Sequence, residues 1–173
     1  MILNFVLTTK RLLIEPLSTI EDDFILELVN TDGWIKFIGN RNVISKIDAA
    51  NYIQKILNNK NLSYWVVKHK ENRKSIGIIT FIKRDYLEHN DIGFAFLPTE
   101  TNKGFAYEAT IAVLEKLIKV KNLKHILATT IAENENSIKL LNKIGLVFTE
   151  EIEIDTLKIQ VFGISTNQII NKL

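Results

Sequence analysis

Apolar positions along the chain change period several times, and each change marks an element. Arg11-Leu12-Leu13-Ile14-Glu15 reads as a first strand, a short β-rich run ended by Pro16. Thr19 with Asp22 predicts a helix cap, because a short oxygen-bearing side chain accepts from the free amides of a first turn; the helix runs to about Val29. Ser45 followed by Asp48 repeats the signal, and Ile47, Tyr52, Ile53, Ile56 and Leu57 recur at helical spacing to about Asn58. The period then shortens. Residues 64–67 and 76–82 are β-rich runs about the polar turn Glu71-Asn72-Arg73-Lys74 and predict a hairpin. Residues 92–97 predict a strand stopped by Pro98. A long helix is expected from Gly104 to about Val120, with Ile111, Leu114, Leu117 and Ile118 on its buried stripe. Residues 126–131 form a strand, and residues 134–144 a helix burying Ile138, Leu141 and Ile144. Strands at 146–154 and 158–165 follow. The expected order is β-α-α-β-β-β-α-β-α-β-β, a mixed sheet with helices on its faces. No repeat or Pro/Gly/Ser linker interrupts it, so residues 1–173 are expected to form a single domain.

Composition narrows the chemistry more than the fold. Hydrophobic residues make up 46% and charged residues 24%, a balance that excludes a disordered chain. The longest apolar stretches fall short of the roughly 20 residues of a membrane helix, so no membrane partner is expected. The apolar run Met1-Ile2-Leu3-Asn4-Phe5-Val6-Leu7 has no basic region before it and no small-residue cleavage site after it; no signal peptide is expected, which is compatible with a cytoplasmic location. The absence of cysteine excludes disulfides, thiolate metal sites and cysteine nucleophiles. Net charge is only +2 with both signs interspersed, and the run Lys116, Lys119, Lys121 and Lys124 reads as a solvated helix face; no nucleic-acid partner is expected.

Two segments invite chemistry. Thr101-Asn102-Lys103-Gly104-Phe105-Ala106 joins a strand to the long helix. The first amides of a helix lack intrahelical partners and its dipole favours an anion there, while Gly104 and Ala106 allow close backbone approach. A pyrophosphate suits such a place; alternatively, Gly104 only permits a tight turn. In Asn134-Glu135-Asn136-Ser137-Ile138-Lys139-Leu140-Leu141-Asn142-Lys143-Ile144-Gly145-Leu146, Asn134 and Ser137 open a helix directly after a strand. Alternatively both are ordinary caps, with Gly145 the helix terminator.

Together the segments resemble the GNAT acetyltransferases. The family's pyrophosphate loop reads Q/R-x-x-G-x-G/A; Gly104 and Ala106 match it and Thr101 departs from its first position. The later pattern N-x-x-S/A, x-x-x-Y/L, x-x-x-G-F/L is filled in register by Asn134, Ser137, Leu141, Gly145 and Leu146. Thr9-Lys10-Arg11-Leu12-Leu13-Ile14-Glu15-Pro16-Leu17 and Asp91-Ile92-Gly93-Phe94-Ala95-Phe96-Leu97-Pro98 are similar to the ribosomal-protein N-acetyltransferase-like branch. The resemblance spans residues 8–165.

The resemblance implies a GNAT fold of the α/β (α+β) class: a central, mostly antiparallel mixed sheet of about seven strands flanked by about four helices, splayed between the fourth and fifth predicted strands. It implies acetyl-CoA as cosubstrate, with no metal. Backbone near Phe96 and Leu97 would hold pantetheine and polarise the thioester; Thr101, Asn102, Lys103, Gly104, Phe105 and Ala106 would hold pyrophosphate, and Asn134 would anchor the coenzyme. An amine of a protein N-terminus or small molecule would attack directly. Asp91 is the expected base, itself or through water, unless it is merely an exposed strand-end residue; Glu88, Glu100 and His89 are weaker alternatives. Many members use a tyrosine where Leu141 stands, so Ser137 is expected to protonate or position the leaving sulfur. Acceptor specificity is expected from the two early helices and the loop between them, residues 31–45, with Trp34, Phe37, Ile38 and Asp32, unless the aromatics are core and Asp32 solvated. A non-catalytic acyl-CoA-binding sensor is the alternative function, and a monomer or homodimer the expected assembly.

Overall fold

A computed structural model describes residues 3–167; Met1, Ile2 and the far end of the expected 1–173 domain lie outside the described residues. The chain forms an eight-stranded sheet in the order β1-β2-β3-β4-β5-β6-β8-β7. The strands are β1 (Leu7–Thr8), β2 (Leu12–Pro16), β3 (Leu62–His69), β4 (Ser75–Ile82), β5 (Asp91–Phe96), β6 (His125–Thr130), β7 (Val147–Ile154) and β8 (Leu157–Ser165). The helices are α1 (Asp22–Val29), α2 (Asp32–Phe37), α3 (Lys46–Asn58), α4 (Phe105–Lys121) and α5 (Glu135–Ile144). Every neighbouring pair is antiparallel except β5 with β6. The mixed, mostly antiparallel sheet is as expected, with one strand and one helix more among the described residues.

Both additions are too short to carry a period. β1 pairs Leu7 with Ile14 and Thr8 with Leu13, and a two-residue pairing leaves no alternation to read. α2 lies in the segment read as a loop. Thr31 opens it by accepting from the Trp34 amide at 3.4 Å, and its six residues turn too few times for an apolar stripe to repeat. The expected Thr19 cap is not made. Thr19–Glu21 forms a 3₁₀ turn in which the Glu21 amide donates to the Ser18 carbonyl at 3.2 Å, so backbone occupies the place of a side-chain cap before α1. Ser45 does cap α3, accepting from the Asp48 amide at 3.2 Å, while the Asp48 carboxylate accepts from the Ile44 amide at 3.2 Å. The carboxylate reaches the amide one residue before the N-cap rather than that of Ser45 itself, so the arrangement is a variant of the capping box. Ile47, expected on the buried stripe, is 73% exposed; Ala49, Ile53 and Ile56 carry that face. On α4, Ala109 and Val113 join Leu114, Leu117 and Ile118 in the core while Ile111 is half-buried.

Neighbouring residues in a strand face opposite sides of a sheet, and here both sides are covered. Trp65 and Ile79 pack with Val113, Leu114, Leu117, Leu141 and Ile144 of α4 and α5. Their neighbours Val66 and Ile78 pack with Phe24, Ile25, Leu28, Trp34, Ile53 and Ile56 of α1–α3. Two-sided burial explains why β4 reads as a nearly unbroken apolar run rather than an alternation.

The sheet opens between β5 and β6, the fourth and fifth predicted strands. The pairing is confined to Asp91 opposite Leu127, with the Leu127 amide donating to the Asn90 carbonyl at 3.0 Å. On its other side β5 is fully in register with β4, from Asp91 opposite Ile82 to Phe96 opposite Gly77. Antiparallel strands alternate which residues exchange hydrogen bonds. The Leu97 amide donates to the Ile76 carbonyl at 2.9 Å, which places the backbone groups of Ala95 and Gly93 towards β4 as well. Those of Phe94 and Phe96 face the gap.

Candidate active site

The gap leads to the start of α4. Pro98–Glu100 makes a 3₁₀ turn, Asn102 and Gly104 adopt φ of 60° and 80°, and Gly104 is the N-cap. The first helical hydrogen bond runs from the Glu108 amide to the Gly104 carbonyl at 3.1 Å. The amides of Phe105, Ala106 and Tyr107 therefore have no partner within the helix, and the dipole adds partial positive charge beside them. Thr101, Asn102, Lys103 and Gly104 are exposed and Ala106 half-buried, so backbone is accessible along the turn. Side chains here serve the loop itself. The Thr101 hydroxyl donates to the Pro98 carbonyl at 2.8 Å, the Lys103 ammonium donates to Glu100 at 3.1 Å, and the Phe105 ring is buried with its edge against His69.

Arg11 completes this corner, and the sequence reading did not single it out. Its Nε donates to Glu108 Oε2 at 2.7 Å, its Nη1 to the Lys103 carbonyl at 2.9 Å, and its backbone amide to Glu108 Oε1 at 3.0 Å. The Thr9 hydroxyl donates to the same Oε1 at 2.6 Å. The guanidinium lies 4.4 Å from the centre of the Phe105 ring. Arg11 and Glu108 are 97 positions apart, and no local pattern in the sequence joins them.

Asn134 caps α5: its side-chain oxygen accepts from the Ser137 amide at 3.2 Å. The cap does not compete with a ligand role, because it engages the oxygen and leaves the amide nitrogen without a hydrogen bond among the described residues. Ser137 is half-buried and its hydroxyl likewise makes none. Leu141, in the position of the family's tyrosine, is 1% exposed and belongs to the core. Gly145, with φ of 109°, ends the helix.

Asp91 is 2% exposed, so the alternative of an exposed strand-end residue does not hold. It stands at the last rung before the strands part. One carboxylate oxygen accepts from Arg84 Nε and from the Thr129 hydroxyl, the latter at 3.0 Å. Burial pushes its pKa up; Arg84 and Thr129 pull it back without cancelling the rise. The other carboxylates lie elsewhere. The Glu88 side chain is 87% exposed. Glu100 is committed beneath the loop, where burial is outweighed by Lys103 and His69 and its pKa falls below the usual range. The His89 ring stacks on His125 at 5.0 Å between centroids.

Of the residues expected to read the acceptor, Trp34 is a core residue, Phe37 is half-buried, and Ile38 and Asp32 are exposed. On strand β3, burial raises the pKa of the Tyr64 phenol. No helix among the described residues is long and apolar enough to cross a membrane.

Residues 11–147 match the acetyltransferase (GNAT) domain. The chain is 34% identical over 141 residues to the uncharacterized N-acetyltransferase YnaD of Bacillus subtilis, with 81% of each chain covered. Its fold is similar to that of the spermidine N-acetyltransferase of Vibrio cholerae, solved with CoA and spermine (TM-score 0.79, 18% identity, covering 94% of this chain and 100% of that one). It is equally similar to the ribosomal-protein-S5-alanine acetyltransferase of Vibrio fischeri (TM-score 0.78, 17% identity, 94% and 97% covered). With a family match over most of its length and a relative 34% identical over 81% of both chains, the chain belongs to the GNAT acetyltransferase family.

Proposed function

We propose that the protein transfers the acetyl group of acetyl-CoA to a primary amine by direct attack in a ternary complex, the amine belonging to a protein N-terminus or a small molecule. The observation that carries this reading is the single-rung contact of β5 with β6, which leaves strand backbone open in line with the amides at the start of α4. Pyrophosphate is held by backbone from Asn102 to Ala106, and pantetheine adds to β5 as a strand would. Of the expected pair Phe96 and Leu97, the register favours Phe96. The Leu97 amide is engaged by Ile76 and its carbonyl accepts from Glu100, so Phe94 and Phe96 offer the free groups. Asn134 donates its side-chain amide to the coenzyme.

The neutral amine attacks the thioester carbonyl, forming the C–N bond; an amide from the open edge of β5 stabilises the oxyanion. Collapse breaks the C–S bond and releases the thiolate of coenzyme A. Asp91 takes the ammonium proton, through water because its carboxylate is almost fully enclosed. Ser137 positions the sulfur and relays to it a proton taken from water, so that its hydroxyl ends as it began, while the proton on Asp91 returns to solvent. The acceptor class is supported by the two neighbours named for an amine acceptor, one for spermidine and one for a ribosomal-protein alanine.

Calorimetry with coenzyme A, followed by acetyl-CoA turnover with N-terminal peptides and small amines, tests the reading. Coenzyme A is expected to bind and to raise the melting temperature by ligand linkage. Absence of binding at millimolar coenzyme would refute it.

A further inference from the structure

We infer that Arg11 is a positioning residue for the coenzyme: with Glu108 it fixes the turn before α4 in the shape that presents its amides to pyrophosphate. This rests on the coenzyme reading above. The turn has an intrinsic tendency to relax. Asn102 and Gly104 both hold positive φ, conformations of low occupancy for most residues and entropically costly even for glycine. Such a turn persists where other contacts over-determine it. Here the contacts converge on Lys103, whose carbonyl accepts from Arg11 and whose ammonium donates to Glu100. Arg11 is itself fixed at three points: Nε on Glu108, its own amide on Glu108, and its guanidinium plane against Phe105. Thr9 adds a further bond to Glu108.

The chemistry requires arginine. A guanidinium is a rigid fork whose nitrogens donate in separate directions, so one side chain spans the Glu108 carboxylate and the Lys103 carbonyl. Glu108 lies in the first turn of α4, and the carbonyl belongs to the residue before the N-cap Gly104. The fork therefore ties the helix to the turn that precedes it. It ties both to β2 as well, because Arg11 immediately precedes that strand. A β-carbon at Gly104 would meet Arg11 Nη2 at 3.4 Å, so the guanidinium also lies in contact range of the N-cap, whose φ of 80° favours glycine.

The test compares two ligands on Arg11→Gln, Arg11→Lys and the wild type: coenzyme A by calorimetry, and pantetheine, which lacks the pyrophosphate, by NMR titration. Arg11→Gln is expected to weaken coenzyme A about tenfold, as expected for loss of a charge-assisted hydrogen bond. Pantetheine affinity is expected to change less than about twofold, because the turn does not touch it. Arg11→Lys is expected to restore the melting temperature, by keeping the charge opposite Glu108, but not the coenzyme affinity, because an ammonium is no fork. Equal losses for both ligands, an unchanged affinity for coenzyme A, or full rescue by lysine would each overturn the inference. A wild type that binds neither ligand would instead overturn the coenzyme reading.

Discussion

Opposed influences act on the charge of Asp91, and they can be separated. Enclosure disfavours the carboxylate and Arg84 favours it; the net pKa is raised. A base works in its ionised form, so turnover is expected to fall on acidification through that raised pKa, above the range of an ordinary carboxylate. Removing Arg84 removes the stronger support of the anion. In Arg84→Met the acid limb of the pH–rate profile is therefore expected to move to higher pH. Asp91→Asn is expected to lower turnover at neutral pH by at least about tenfold and to lose least near the amine's own pKa, where the acceptor arrives neutral. Coenzyme affinity should barely change in either, since neither side chain is among the groups proposed to hold the coenzyme. An acid limb that stays in place in Arg84→Met, or an Asp91→Asn profile that overlays the wild type, discards Asp91 as base. The resemblance to the ribosomal-protein N-acetyltransferase-like branch pointed to Asp91, which opens the central strand. Its enclosure by Arg84 and Thr129 was not legible, since Thr129 comes from a strand 38 residues away.

At the scale of elements, α4 carries the coenzyme reading through the turn at its start. Valine at position 104 would have to hold φ near 80°, where its β-carbon strains the backbone. Gly104→Val is expected to destabilise the fold by about 1–2 kcal/mol, a few degrees in melting temperature, and to weaken coenzyme A by more than about tenfold. Intact affinity in a folded Gly104→Val protein would mean that the turn does not hold phosphate. The starts of α3, α4 and α5 were readable because capping and glycine chemistry is local: Ser45, Gly104 and Asn134 each act within a few residues. The Arg11–Glu108 fork was not, because long-range pairing is decided only when β2 and α4 meet. The parity of β5 was hidden for a related reason. Whether Leu97 or Phe96 offers its amide to the gap depends on how β5 registers against β4, and sliding by one residue exchanges them.

For the whole molecule, the sheet is continuous on both sides of the gap, and that asymmetry has a measurable signature. β4 holds β5 along its full length, and β8 holds β6 from His125 to Thr130. Between those two halves the ladder stops at Asp91 and Leu127. Opening the gap costs the hydrogen bonds that further rungs would make. A coenzyme lying along β5 would supply equivalent bonds, so substrate binding and closure of the sheet become one event. Amide exchange reads this directly, because protection follows hydrogen bonding within a rigid element. In the free protein the amides of Ala95 and Leu97, turned to β4, are expected to exchange slowly, and those of Phe94 and Phe96 faster although they sit in the same strand. Saturating coenzyme A is expected to slow Phe94 and Phe96 selectively and leave the contrast at Ala95 and Leu97 nearly unchanged. Pantetheine alone should give the same pattern, since the strand-like arm and not the nucleotide makes these bonds. Uniform protection along β5 in the free protein would mean that the gap is closed in solution. Protection gained equally at all four amides would point to general tightening of the fold, and the assignment of the open edge of β5 to pantetheine would fall.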